Sequence, residues 1–283
     1  MTKFREEIIE IKGRAYAVRR HGAGKILFAL HGFSETSATW DALDLAGYEI
    51  FAIDLLGHGK SEKPVDLAAY QLENILTDLA LLFSKLTKNK PFSLLGYSMG
   101  GRLALRFCLA FPDAPVEHLL VESAGAGLKT EEERASRRIA DEKLARNILA
   151  NGSGWFADFW GQLSLFESQK ALPQAVQERI WQRRANNVPL ALAQTLRGTG
   201  QGELADISNK IKTLKPNLLY LYGELDHKYS QIAKEIFAPN PSVTVIGLPA
   251  CGHNAHLENP QLYQQILQNY LAESVCDIIK KDD

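Results

Sequence analysis

Cysteine is scarce in this chain, and it has neither long apolar runs nor an excess of charge of one sign. The three cysteines, Cys108, Cys251 and Cys276, are far apart, which fits neither a disulfide framework nor a Cys-x-x-Cys metal site. No run of ~18 apolar residues could span a bilayer, and the first residues, "MTKFREEIIEIKG", contain no apolar segment typical of a signal peptide. We therefore predict a cytoplasmic protein that has no membrane partner and no metal.

Positive and negative charges are nearly balanced. The chain has 32 Lys and Arg against 33 Asp and Glu, a formal net charge of −1. Such a balance gives no electrostatic reason to expect nucleic acid or an anionic membrane as a partner. The 283 residues, of which 46% are hydrophobic, suffice for one core with an inserted segment. The composition leaves open whether the protein is a monomer or a homo-oligomer.

Short apolar runs alternate with helical patterns along the chain. A hairpin pattern in "REEIIEI" and "RAYAVRR" is followed by nearly all-apolar runs at residues 26–30, 49–54, 92–97, 118–123, 217–223 and 242–247. Such runs are typical of strands buried on both faces of a parallel sheet. Amphipathic segments at 70–87 and 259–273 predict helices that cover the sheet. The fold class is therefore α/β, with a mostly parallel sheet of about eight strands.

The alternation stops between about residues 128 and 212, where only helical periodicity is present. Thr130 followed by Glu133 predicts a capping box at the start of the first helix. We predict an α/β core formed by residues 1–127 and 213–283, and a helical cap formed by residues 128–212. An insertion between two strands should lie above their carboxyl ends, where open α/β sheets bind ligands.

Three residues occur in the chain order of a Ser-Asp-His triad. Ser98 is central to Gly-x-Ser-x-Gly in "LLGYSMGG", Asp226 follows the strand "LLYLYG", and His253 lies in "GHNAHLENP" after the last strand. This order is that of the α/β-hydrolases, so we predict that fold. Ser98 requires a base, His253 can supply it, and Asp226 would hold the imidazole tautomer. The alternatives are Asp54 as the acid and His256 as the base, although each fits a local structural role.

Two backbone N–H groups are candidates for an oxyanion hole. Met99 follows the nucleophile, and Phe33 lies in the loop "HGFSE" after an apolar strand. Gly32 allows that loop to approach its neighbours closely. We also predict that Cys251, beside the catalytic histidine, is a packing residue.

Arg102, one turn into the helix after Ser98, is unexpected at a position that should be buried. A cation beneath the nucleophile suits an anionic ligand, although it could instead pair sideways with a carboxylate. The cap contains further arginines and aromatic residues, which suit carboxylates held against an apolar wall. They are Arg134, Arg137, Arg138, Arg183 and Arg184, with Trp155, Phe156, Phe159, Trp160 and Trp181.

Several segments together resemble the 2-succinyl-6-hydroxy-2,4-cyclohexadiene-1-carboxylate synthases of menaquinone biosynthesis. They are "GYSMGGR", "GLKTEEERASRR", "FADFWGQLSLFES", "RRANN", "LRGTGQG", "YGELDHKY" and "GHNAHLENP". The resemblance implies that Ser98, Asp226 and His253 form the family's triad. It also implies that Arg102, Arg137 and Arg184 bind substrate carboxylates, and that Tyr97 and Trp160 line the pocket.

The implied reaction is an elimination that needs no cofactor. The triad would remove a ring proton from a small polycarboxylate substrate, and pyruvate would leave. The chain departs from the family in one place, because "SAGAGL" at 123–128 replaces a Pro-Gly-Leu turn, which leaves the cap entrance less constrained. Two alternatives remain open: a serine hydrolase of esters or carbon–carbon bonds, and a ligand receptor that keeps the pocket without turnover.

Overall fold

The structure, a computed structural model, describes residues 4–279, with side chains described up to residue 272. Eight strands form one sheet in the order β1-β2-β4-β3-β5-β6-β7-β8. They are β1 (Arg5–Ile11), β2 (Arg14–Gly22), β3 (Lys25–Leu30), β4 (Tyr48–Ile53), β5 (Phe92–Tyr97), β6 (Val116–Glu122), β7 (Asn217–Gly223) and β8 (Val243–Leu248). Only β1–β2 and β2–β4 pair antiparallel. The predicted mostly parallel sheet is confirmed.

Helices cover both faces of the sheet. The α-helices are α1 (Leu72–Thr87), α2 (Met99–Ala110), α3 (Glu131–Gly161), α4 (Gln174–Ala185), α5 (Pro189–Thr199), α6 (His227–Ile232), α7 (Ala255–Glu258) and α8 (Pro260–Ile279). Helices α1 and α2 contribute buried residues to the core on one face, and α8 contributes to a second core on the other. None of the helices within residues 4–279 is both long and apolar enough to cross a membrane.

Helices α3 to α5 lie between β6 and β7 in the chain, and α3 and α5 pack around an apolar cluster of their own. Thr130 and Glu133 form both hydrogen bonds of the predicted capping box at the start of α3. Helix α3 is broken at Gly152, whose φ of 83° is not helical. We keep residues 128–212 as the name of the cap and the remainder as the core; this division stays a prediction. The cap cluster also contacts Phe33 of the core.

Candidate active site

Strand β5 ends in a sharp turn that begins helix α2 and places Ser98 at its apex. Ser98 has φ 50° and ψ −105°, a conformation that is costly for a residue with a side chain. Glycines at the flanking positions permit the turn, because a Cβ on Gly96 would lie 2.4 Å from the Gly100 carbonyl oxygen and one on Gly100 would lie 2.4 Å from that of Leu30. The tight packing of α2 against the sheet therefore holds the hydroxyl at the carboxyl edge of the strands.

The predicted triad residues meet at hydrogen-bonding distance. His253 Nε2 lies 3.0 Å from Ser98 Oγ, and His253 Nδ1 lies 2.7 Å from Asp226 Oδ2. The Asp226 carboxylate requires the imidazole proton at Nδ1, which leaves Nε2 to accept from the serine hydroxyl. The carboxylate is itself held in place because its Oδ1 accepts from the Tyr229 N–H at the start of α6. These contacts can activate the hydroxyl for proton transfer or attack.

The two alternative triad residues have structural partners elsewhere. The Asp54 carboxylate accepts from the backbone N–H groups of Ser37, at 2.6 Å, and Lys60, at 2.7 Å, and so holds a turn. His256 is buried. Its Nδ1 is hydrogen-bonded to the Glu122 carboxylate at 2.8 Å, and its Nε2 is hydrogen-bonded to the Thr39 hydroxyl at 2.8 Å. Neither side chain is free to serve Ser98.

The two predicted oxyanion-hole donors line the same cavity as Ser98. Met99 is the first residue of α2, so its N–H has no acceptor within the helix. Phe33 lies in the loop after β3, and a Cβ on the preceding Gly32 would be only 2.5 Å from the ring of Tyr97. Phe33, Tyr97, Ser98 and Met99 all border the cavity, so the two N–H groups stay candidates for the oxyanion hole.

Two buried histidines, His31 and His58, support the Phe33 loop. His31 Nδ1–H donates to the Gly32 carbonyl, at 2.7 Å, while its Nε2 accepts from the Leu55 N–H, at 2.9 Å. The Gly32 carbonyl and the Phe33 N–H belong to one planar peptide, so this bond also orients the candidate oxyanion donor. His58 Nε2 accepts from the Ser34 N–H at 3.3 Å. Both imidazoles must be neutral to accept these bonds.

Protonation of these histidines is expected to make stability depend on pH. Burial lowers the pKa of His58 to about 3, below the ordinary value of 6.5. At position 58 the unfolded chain therefore binds more protons than the folded protein does. The contribution of His58 to the free energy of unfolding is lost as pH falls below about 6.5, by ~2 kcal/mol between about pH 8 and about pH 5. His58→Gln should lose less stability over that range, as measured by urea unfolding at both pH values. An equal loss in the two proteins would contradict the neutral role of His58.

Arg102 faces the cavity and is 7% exposed. Its Nε has no hydrogen-bond partner, and no carboxylate of the described residues forms an ion pair with it. Burial lowers the pKa of this guanidinium, opposed in part by the neighbouring Tyr229 hydroxyl. The alternative in which Arg102 pairs sideways with a carboxylate is therefore wrong. Asp141 attracts this guanidinium without contacting it as an ion pair, and a buried cation so weakly compensated is suited to an anionic ligand.

Two more cations border this cavity, whose volume is about 250 Å³. Arg137 of the cap lines it while its Nε lies 2.8 Å from Asp141 Oδ1. Lys228, the second residue of α6, is exposed and lies at the cavity wall; sequence reasoning missed it. Its place two residues after Asp226 could have drawn attention to it. The residues that line the cavity thus include three cations and no carboxylate, and Asp141 and Asp226 lie behind them, which leaves the lining positive.

Aromatic rings form the apolar wall of the cavity. Trp160 packs edge-on against Phe33, with 5.6 Å between ring centroids, so the cap tryptophan covers the oxyanion loop. Tyr97 lies 5.2 Å from the His253 ring. The structure thus brings Tyr97 and Trp160 to the positions that the resemblance implies.

Among the predicted substrate-binding residues, Arg184 is the one that does not border this cavity. It lines a neighbouring cavity of about 350 Å³ in the cap, and Phe166, which borders both cavities, separates the two. The Arg184 guanidinium stacks 4.3 Å from the Phe166 ring and donates to Gln169 Oε1 at 3.2 Å. The expected contact beside Ser98 is therefore absent in this arrangement, because helix α4 approaches from behind that ring.

The other cap arginines that sequence patterns singled out have partners outside the cavity. Arg134 and Arg138 both pair with Glu131, and Arg183 pairs with Glu35 at 3.0 Å. Among the side chains described, residues 4–272, no group of three or more His, Cys, Asp or Glu could hold a metal ion. Cys251 is buried in the core on the α8 side of the sheet.

Comparison with known proteins agrees with this geometry. Residues 26–264 match the family model described as "Alpha/beta hydrolase family". A Bacillus subtilis protein, named provisionally as a 2-succinyl-6-hydroxy-2,4-cyclohexadiene-1-carboxylate synthase, is 35% identical over 92% of this chain and 95% of its own length. A synthase of the same name from Yersinia pestis is 30% identical over 91% of each chain. The structure of MenH from S. aureus superposes with a TM-score of 0.84 at 31% identity, over 90% of this chain and 98% of that one.

Proposed function

Because the chain belongs to the α/β-hydrolase family and, within it, to the 2-succinyl-6-hydroxy-2,4-cyclohexadiene-1-carboxylate synthases, we propose that it eliminates pyruvate from the enolpyruvyl precursor of that product. This is a lyase reaction of menaquinone biosynthesis. One observation carries the assignment beyond the superfamily: the buried Arg102, whose Nε has no hydrogen-bond partner, lies in the same cavity as the triad serine and forms no ion pair with a carboxylate of the described residues. An esterase for apolar acyl groups would gain nothing from that cation, whereas a polycarboxylate substrate supplies a carboxylate that can pair with it directly.

The triad would act as the base of the elimination. Ser98 Oγ removes a proton from a ring carbon and passes its own proton to His253 Nε2, 3.0 Å away. The carbon electron pair forms the new ring double bond, the bond from the ring to the ether oxygen breaks, and enolpyruvate leaves. Protonation converts the enolpyruvate to pyruvate. Asp226 stabilises the imidazolium that forms on the way.

Substrate charge would be held on two sides of the reacting carbon. The N–H groups of Phe33 and Met99 would stabilise the enolate oxygen that develops during proton removal. Arg102 from the core and Arg137 from the cap would bind ring and side-chain carboxylates, and Lys228 would attract the anion to the entrance. The small volume and the aromatic wall would exclude water from the carbanion-like transition state.

Release of pyruvate tests this proposal. The purified protein is incubated with the enolpyruvyl precursor, and pyruvate is followed by coupling to lactate dehydrogenase, with a reaction lacking the protein as the control. We expect pyruvate in an amount equal to the precursor consumed. No pyruvate, together with a burst of acyl-enzyme on a chromogenic ester, would overturn the proposal in favour of a serine hydrolase.

A further inference from the structure

A second buried arginine lies on the nucleophile helix and has no part in the proposed chemistry. Arg106, one turn beyond Arg102 on α2, is 5% exposed. Burial lowers the pKa of its guanidinium to about 10, and the positive charge of Arg102 acts in the same direction. Keeping two cations one turn apart in the interior is costly, so the position of Arg106 must be stabilised by specific contacts.

Those contacts are two backbone carbonyl oxygens on different segments. Arg106 Nη2 donates to Ala126 O at 3.0 Å and to Ala205 O at 2.7 Å. Ala126 lies just before the cap begins at residue 128, and Ala205 lies in the last part of the cap, before the chain returns to β7. One nitrogen atom of the nucleophile helix therefore holds both cap linkers, defined here as residues 124–128 and 204–207.

The two cap linkers are also hydrogen-bonded to each other. The Leu128 N–H donates to Leu204 O at 3.0 Å, and the Ile207 N–H donates to Ala126 O at 3.1 Å. A Cβ on Gly127, which has φ +121°, would lie 2.3 Å from Ala205 O and 2.8 Å from Arg106 Nη2. The entrance that lacks the family's proline is thus held by backbone hydrogen bonds and by close packing at Gly127.

These contacts join the cap to α2, the helix that follows Ser98 and carries Arg102. The cap brings Arg137 and Trp160 to the cavity, and helix α2 begins next to Ser98 and includes Arg102. The linkers are the covalent links between these two groups, and Arg106 fixes them to α2. A shift of the linkers would move Arg137 relative to Arg102 without moving the triad.

We infer that Arg106 is a positioning residue that sets the spacing between the cap-borne and core-borne cations, and so determines how tightly the polycarboxylate substrate binds. This inference rests on the proposed function for the identity of the substrate. A displacement of about 1 Å is enough to weaken an oriented contact strongly. Loss of the Arg137 contact alone corresponds to about tenfold weaker binding or more.

Arg106→Met removes both linker bonds and tests the inference. We expect KM for the enolpyruvyl precursor to rise about tenfold or more, while a small neutral organophosphonate labels Ser98 within about twofold of the wild-type rate, because labelling needs only core groups. Arg106→Lys should recover part of the loss, since a single ammonium can replace the one nitrogen that makes both bonds. Gly127→Ala should raise KM in the same way by forcing the linkers apart.

Arg14→Met is the matched control for a purely structural role. Arg14 pairs with the buried Asp78 at 2.5 Å, and neither residue borders the cavity, so loss of Arg14 should lower the melting temperature and leave KM unchanged. If Arg106→Met behaves as Arg14→Met does, the positioning role is overturned.

Hydrogen exchange keeps the test independent of the proposed reaction. The amides of Leu128 and Ile207 should exchange faster in Arg106→Met than in wild type, and not in Arg14→Met at equal loss of stability. This result would support the positioning role even if the wild-type protein released no pyruvate. Unchanged protection of both amides in Arg106→Met would overturn it.

Discussion

Replacing His253 by alanine is expected to lower kcat for pyruvate release by about 10³- to 10⁴-fold. The imidazole is the only base of the described residues that contacts Ser98 Oγ, and Asp226 holds its tautomer. A positioned general base contributes about 10²- to 10⁴-fold, and loss of the whole relay lies at the upper end of this range. The rate would be measured under saturating precursor, so that binding and chemistry are separated.

His227→Ala is the matched control for this variant. His227 is exposed and directly follows the triad acid, but it does not border the cavity. We expect its kcat to equal that of wild type. A loss below tenfold in His253→Ala would mean that another group removes the ring proton, and the base assignment would be wrong.

Replacing Arg102 by methionine is expected to change activity and stability in opposite directions. The variant should lose about 10²- to 10³-fold in kcat/KM for the precursor, because one substrate carboxylate would be buried without its partner. The unliganded variant should gain about 1 kcal/mol or more in free energy of unfolding, because the wild-type guanidinium is buried without a carboxylate. Coupled pyruvate release and urea unfolding measure the two effects.

Arg197→Met provides the comparison for Arg102→Met. Arg197 forms a partly exposed ion pair with Glu142 in the cap, at 2.7 Å, and is not one of the cavity residues. Its loss should leave kcat/KM unchanged and should not raise stability. Activity of Arg102→Met within a few fold of wild type would show that the guanidinium does not bind substrate.

The sequence could predict the sheet and the triad because both depend on short local patterns. Nearly all-apolar runs mark strands buried on two faces, and the glycines beside Ser98 mark the turn that must follow β5. The chain order of Ser98, Asp226 and His253 follows from the order of the strands that carry them. Residues at strand ends therefore come together once the sheet forms.

The parts that the sequence could not predict depend on how separate elements pack. Arg184 has the residue type of a carboxylate ligand, but helix α4 places it behind Phe166. Arg106 looks like a surface residue in "LALRFCLA", and only the fold shows that both cap linkers pass over it. Asp141, one turn beyond Arg137, partly neutralises a cation that the sequence pattern treated as free. The sequence pattern identifies the chemical type of such residues, whereas the tertiary fold determines which groups they contact.

The mass of the ring product tests the central claim most directly. Elimination transfers the ether oxygen to pyruvate and leaves a ring with an added double bond, whereas hydrolysis of the enol ether leaves the oxygen on the ring as a hydroxyl group. The protein is incubated with the enolpyruvyl precursor, and the ring product is analysed by mass spectrometry as pyruvate accumulates. We predict a ring product lighter, by the mass of one water, than the product of hydrolysis. A ring product that keeps the hydroxyl group would contradict the account even if pyruvate were released.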